Sequence, residues 1–122
     1  MTTDSARILV IDDEAVLRGL LRDMLSACGY DADVAEDGKS GVARFQESRY
    51  SAVITDLLMP GMNGFEVVTA LRRLDPSVRI IMLTGSAPEL TARRAKESGV
   101  TLLHKPIALG DLKAALDAAC GP

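Results

Sequence analysis

The sequence predicts an α/β domain built around a mostly parallel sheet. Short apolar runs recur along the chain, amphipathic helical patterns separate them, and four of the runs stop abruptly at polar residues. Unbroken apolar runs suit strands covered on both faces, as parallel strands are. Five strand–helix repeats in 122 residues leave room for one domain and little more, so residues 1–122 are expected to form a single unit.

Ile8–Ile11 is the first such run, and it ends at Asp12. Val16, Leu17, Leu20, Leu21, Met24 and Leu25 then form one apolar stripe at helical spacing, with Gly29 where a C-terminal cap belongs. Residues 31–35 alternate polar and apolar, which predicts an edge strand with one wet face. A weaker helix follows over 39–47, carrying only Val42, Ala43 and Phe45. Ala52–Ile54 is the third strand, and Phe65, Val68, Leu71 and Leu74 make a helix ended by Asp75-Pro76. Ile80–Leu83 is the fourth strand, followed by a second weak helix over 88–98 with Leu90, Ala92 and Ala95. Thr101–Leu103 is short and edge-like. Leu109, Leu112, Ala115, Leu116 and Ala119 complete the last helix. The second and fifth strands therefore belong at the edges, while periodicity leaves the order of the three interior strands open.

Fourteen basic residues against 17 acidic ones leave a net charge of −3, with no Trp, two Tyr and two Phe. Such a chain has neither the basic stripe nor the stacking platform of a nucleic-acid binder, so no direct nucleic-acid contact is expected. No apolar run approaches the roughly 20 residues of a membrane span, and the polar N-terminus shows no secretory signal. Cys28 and Cys120 stand far apart without a CxxC partner and are expected to be reduced thiols; a single His completes no Cys/His metal site. The expected setting is cytoplasmic.

The informative feature is what ends each run. Ile8–Ile11 gives way to Asp12-Asp13-Glu14, Ala52–Ile54 to Thr55-Asp56, Ile80–Leu83 to Thr84-Gly85-Ser86, and Thr101–Leu103 to His104-Lys105-Pro106. One strand–loop–helix–loop unit takes about 20–28 residues. Asp13 and Asp56 lie two such units apart, Asp56 and Thr84 one, and Thr84 and Lys105 one. All four clusters thus fall at the carboxyl ends of strands, the rim where open α/β sheets bind ligands. Carboxylates gathered there repel one another, and a hard divalent cation with oxygen ligands relieves that; Mg²⁺ fits better than a soft metal. A carboxylate nucleophile, a metal, the Lys105 ammonium and the Thr84 hydroxyl together are equipment for phosphoryl transfer.

These residues resemble the receiver domain of bacterial two-component response regulators, in particular its single-domain, chemotaxis-regulator-like form. The resemblance covers about Arg7 to Ala119 and rests on residues 10–14 (Val-Ile-Asp-Asp-Glu), 56–64 (Asp-Leu-Leu-Met-Pro-Gly-Met-Asn-Gly), Leu83-Thr84-Gly85 and Lys105-Pro106. It implies a flavodoxin-like (βα)5 three-layer sandwich with strand order 2-1-3-4-5. It also implies that Asp56 is the phosphoacceptor, taking its phosphoryl group from a phosphohistidine of a histidine kinase or phosphotransfer protein. Asp13 is then the direct Mg²⁺ ligand, with Asp12 assisting, Asp56 sharing the ion and Leu58 contributing its backbone carbonyl. Lys105 pairs with the acceptor and then the phosphoryl group, and Thr84 is the switch hydroxyl. Leu58 and Ser86 occupy positions that tune phosphoryl lifetime, and the Lys105–Pro106 bond is expected to be cis. On this resemblance the chain is no enzyme beyond catalysing its own modification, and it signals through the face formed by the last strand and last two helices to a downstream protein.

One departure is Leu102, where receivers often carry Tyr or Phe, so that no ring can follow the Thr84 movement. Arg93, Arg94 and Lys96 form a basic patch, read as a solvated face offset by Glu89 and Glu97, with recognition of an acidic partner as the lesser reading. His104, on a short edge strand, is read as ordinary packing or solvation. A Mg²⁺-dependent phosphatase with an aspartyl-phosphate intermediate would need an acid/base carboxylate two residues after Asp56, where Leu58 stands. A flavin site would need a Ser/Thr/Gly-rich first loop in place of this acidic one, and a phosphorylation-silent docking module would not need the intact acceptor set. A single-domain regulator is favoured over the N-terminal receiver of a longer regulator with an output domain.

Overall fold

Side chains alternate across a strand, so strands that are apolar on both faces need a helical cover on each side. The computed structural model describes residues 6–85 and 88–120 and meets that need with three layers. In chain order the elements are β1 (Arg7–Ile11), α1 (Ala15–Ala27), β2 (Asp31–Ala35), α2 (Gly38–Phe45), β3 (Ala52–Asp56), α3 (Gly64–Leu74), β4 (Ile80–Thr84), α4 (Glu89–Glu97), β5 (Thr101–His104) and α5 (Leu109–Cys120). All strands are parallel, in the order β2-β1-β3-β4-β5. The expected flavodoxin-like order and the edge positions of β2 and β5 are both found.

The alternation divides the core in two. Ile8, Val10, Ile54, Ile81 and Leu83 face Leu21 and Leu25 of α1 and Leu112 and Leu116 of α5. Leu9, Ile11, Val53, Ile80 and Met82 face α3, through Phe65, Val67, Val68 and Leu71, with Ala95 of α4. Burying a side chain of this size contributes about 1.5–3 kcal/mol, so both faces of the inner strands are firmly anchored. Ala95 is the one fully enclosed side chain of α4, in keeping with its thin apolar pattern.

Local chemistry sets the helix starts. Asn63 and Glu66 form a reciprocal capping box on α3, each bond 3.0 Å, and Asp37 Oδ1 accepts from the Ser40 amide at 2.7 Å to start α2. After α1, Gly29 adopts φ +88, the left-handed cap expected of it. The α1 stripe is narrower than its sequence suggests. Val16 is 86% exposed and Leu20 51%, because they stand on the flank of the stripe while Leu21 and Leu25 point at the sheet. Leu74 and Leu109, at helix ends, are likewise exposed. Cys28 and Cys120 are free thiols, and His104 is exposed at the end of β5. Among the described residues no helix is long and apolar enough to cross a membrane.

Candidate functional site: an acidic pocket at the sheet's carboxyl rim

Register brings the site together. Ile11 pairs with Thr55, Asp56 with Leu83, and Thr84 with His104, so Asp12, Asp56, Thr84 and Lys105 all emerge on one rim. The amide of Asp12 donates to Ala35 O at 3.1 Å, and that of Lys105 to Thr84 O at 2.7 Å, carrying the ladder past the strand ends. Lys105–Pro106 is a cis peptide, as expected. A cavity of about 270 Å³ opens there, lined by Glu14, Asp56, Leu57, Leu58, Thr84, Gly85 and Lys105. A larger groove of about 420 Å³ beside β2, with Arg18, Ser40 and Arg44 in its wall, gathers no comparable set of convergent reactive groups.

Asp56 sits on the cavity floor, 5% exposed. Its Oδ1 accepts from the Leu57 amide at 3.0 Å and lies 3.1 Å from Lys105 Nζ. The Leu57 amide is itself shared with Leu83 O, and Leu57 O accepts from Gly64 N at 2.7 Å, so the Asp56–Leu57 loop is tied to β4 and to the start of α3. Gly64 is required there, because an added Cβ would stand 2.7 Å from Asp56 O and 2.9 Å from Leu57 Cα. Burial pushes the Asp56 carboxyl above the ordinary carboxylate range, and Lys105 and the Leu57 amide recover only part of that shift. For Lys105 burial acts downward, but Asp56, Asp12 and Glu14 outweigh it and hold the ammonium firmly protonated.

Asp12 is fully buried. Its Oδ1 accepts the Glu14 amide at 2.8 Å, and its backbone carbonyl accepts from Arg18 at 2.8 Å. Asp12 Oδ2 is buried with no hydrogen-bond partner. An orphaned, buried carboxylate oxygen is costly unless a cation completes it. Asp12, Asp13, Glu14 and Asp56 can each bring one oxygen within 4.8 Å of all the others, with Asp13 and Glu14 exposed and Asp12 and Asp56 buried. An all-oxygen, open-sided set with an unsatisfied inner oxygen fits a hard divalent cation.

Each described residue expected at the site is thus on the rim. Thr84 is buried at the end of β4, and Leu58 lines the cavity with its side chain 76% exposed. Ser86 lies outside the described residues. Three contributors carried no role in the sequence reading: Glu14, the Leu57 amide and Gly64. Glu14 left a signal as the third acid after the first strand and Gly64 as the end of the 56–64 motif, whereas a backbone amide such as that of Leu57 leaves none. The basic patch on α4 is exposed, as expected, with Arg93 offset by Glu89 at 3.2 Å; in addition the Arg94 guanidinium lies 4.2 Å from the centroid of the Phe65 ring.

Comparison with known proteins agrees with this geometry. Residues 8–117 match the response regulator receiver domain family. The chain is 39% identical over 97 residues to the transcriptional regulatory protein ResD of Bacillus subtilis, covering 80% of this chain and 40% of ResD. It is 32% identical over 114 residues to the sensor histidine kinase RcsC of Escherichia coli, covering 93% of this chain and 12% of RcsC. The chain therefore spans well under half the length of either relative. Among solved structures, chemotaxis protein CheY4 of Vibrio cholerae superposes with a TM-score of 0.89 at 31% identity, covering 95% of this chain and 99% of that one. With this rim, this strand order and these relatives, the chain belongs to the response regulator receiver family, the phosphoacceptor domains of two-component signalling.

Proposed function

We propose that Asp56 is the phosphoacceptor of this receiver and that it takes its phosphoryl group from a phosphohistidine on a histidine kinase or phosphotransfer protein. The observation that carries this reading is the two-point hold on Asp56 Oδ1 by the Leu57 amide and Lys105, which keeps the carboxylate oriented and leaves Oδ2 to attack. In the transfer, an Asp56 oxygen forms a bond to phosphorus as the P–N bond breaks, and the imidazole leaves with the electron pair. The Lys105 ammonium then faces the new charge, and the Thr84 hydroxyl offers a donor to the phosphoryl oxygens. Asp12, Asp13, Asp56 and the Leu58 carbonyl would hold Mg²⁺, which when bound supplies charge neutralisation for the carboxylates and the phosphoryl oxygens. The same machinery lets the domain catalyse its own modification by small phosphoryl donors.

Modification places added negative charge beside Lys105 and Thr84 and favours the conformer in which those donors converge. Residues 1–122 act as one receiver unit, and the response reaches a downstream protein through the face of α4, β5 and α5. Thr84 and Lys105 sit at the entrances to α4 and α5, which supports that route. The aspartyl-phosphate hydrolase reading is disfavoured, since an exposed Leu58 stands where the acid/base would be required.

Intact mass after incubation with acetyl phosphate and Mg²⁺ tests the reading. One added phosphoryl group is expected in the wild type, and none in Asp56→Asn or in the presence of EDTA. Full modification of Asp56→Asn would move the acceptor elsewhere.

A further inference from the structure

Glu14 stands at the N-cap of α1, where a side-chain oxygen ordinarily accepts a hydrogen bond from the first helical turn, yet its carboxylate makes no capping bond. It reaches over the acceptor cavity instead. Glu14 Oε1 is 4.0 Å from Lys105 Nζ, whose other anionic partner is Asp56 at 3.1 Å. The Glu14 side chain is 65% exposed and that of Asp56 6%, so Glu14 is at the mouth and Asp56 at the floor. Lys105 is the cation in the cavity wall, set against the carboxylates of Asp12, Asp13, Glu14 and Asp56. Any donor must bring its own negative phosphoryl group past this mouth. Clefts walled by low-dielectric protein focus such fields.

We infer that Glu14 is a specificity-determining residue that repels free, highly charged phosphoryl donors and so biases the pocket toward a phosphohistidine presented by a protein. This rests on Asp56 being the acceptor. A protein-borne donor arrives with docking contacts that offset the repulsion, and a free acyl phosphate has none. The penalty scales with donor charge, which makes it measurable with two small donors. Acetyl phosphate is a dianion near neutral pH; phosphoramidate carries less net charge because its nitrogen is protonated. In both reactions an Asp56 oxygen bonds to phosphorus. With acetyl phosphate the P–O bond breaks and acetate leaves with the electron pair; with phosphoramidate the P–N bond breaks and ammonia leaves.

The test is the second-order rate constant for modification of Asp56 by each donor, followed by intact mass at saturating Mg²⁺, in wild type, Glu14→Gln and Glu14→Asp. Coulomb repulsion at about 6 Å in a water-like dielectric corresponds to about tenfold for a dianion and about threefold for a monoanion, so Glu14→Gln is expected to speed acetyl phosphate by about the first factor and phosphoramidate by about the second at low salt. In about 1 M salt, where the Debye length is about 3 Å, both gains should shrink to less than about twofold. Glu14→Asp keeps the charge and should keep the discrimination. Equal changes for both donors, or a gain that survives high salt, would overturn the inference and make Glu14 a metal or fold support. Wild type that gains no phosphoryl group on Asp56 from either donor would instead overturn the acceptor reading, and this inference with it.

Discussion

The backbone amide of Lys105 donates to the carbonyl of Thr84 at 2.7 Å, locking together the last residue of β4 and the first residue beyond β5. Residues 84 and 105 therefore occupy neighbouring positions by main-chain register, whatever their side chains are. Lys105→Ala should keep that register and lose only the charge facing Asp56. We expect modification by acetyl phosphate to slow by about 10²–10³-fold, the usual cost of removing one preorganised donor from a charge-developing site. The circular dichroism spectrum should be unchanged, and a fall of less than tenfold would assign the ammonium a minor part.

Burial raises the Asp12 carboxyl above its ordinary range, partly opposed by the Glu14 amide, with Asp56 pushing it further up. Asp56 is raised for the same first reason. The folded chain thus binds these protons more tightly than the unfolded one, so stability falls as pH rises through the raised folded values. The loss is relieved on acidification toward the ordinary carboxylate value of 3.8. In metal-free buffer, Tm should climb as pH is lowered from 7, until carboxylates of the opposite kind take over. Asp33 is one of these. Burial acts to raise it, but Tyr50 and Arg7 bond it and hold it below 3.8, so its contribution is lost in stronger acid. Asp12→Asn should raise the metal-free Tm at pH 7 by about 3–6 °C, on the order of 1 kcal/mol. Mg²⁺ should stabilise the wild type and leave this variant nearly unmoved.

How much was legible in the sequence follows from what periodicity encodes. The alternation over 31–35 marked β2 as an edge, but β1, β3 and β4 are equally apolar on both faces and carry no signal of their mutual order. The rim residues were legible because each directly follows an apolar run. The turn of Glu14 toward Lys105 was not, since an acid at an N-cap reads the same whether it caps or reaches across. A helical stripe gives an angular sector without its line of contact, which is why Val16 and Leu20 read as core and are exposed. Arg94 read as one charge in a basic patch, because its partner, Phe65, belongs to another helix.

Two glycines separate local from tertiary effects. Gly19 lies on the exposed face of α1 with nothing within 4 Å of an added Cβ. Gly19→Ala should stabilise the protein by about 0.5–1 kcal/mol through helix propensity alone. Gly64→Ala drives a methyl into the backbone of Asp56 and Leu57 and should cost about 1–3 kcal/mol or more. Because the displaced atoms belong to the acceptor loop, its modification rate should fall along with its urea midpoint. A Gly64→Ala protein of wild-type stability and rate would mean the loop has slack.

Helix α4 buries Ala95 and little else, so its attachment depends on polar contacts. At its C-terminal end, Arg72 of α3 donates to Ser98 O at 3.0 Å and reaches Gly99 O at 3.4 Å. Nearer the rim the tie is Arg94 over Phe65, the residue next to Gly64 and hence one step from the acceptor loop. With Leu102 in place of a ring on β5, this stack is a contact between the residue beside the Asp56 loop and α4 that needs no ring at position 102. An exposed cation–π pair contributes about 0.5–1 kcal/mol, so Arg94→Gln should speed amide exchange in α4 by about two- to fivefold and leave α3 unchanged. Phosphorylation should then change α4 exchange less in Arg94→Gln than in the wild type. Leu102→Tyr supplies the missing ring, and if it leaves the α4 response as large as before, the coupling does not pass through position 102.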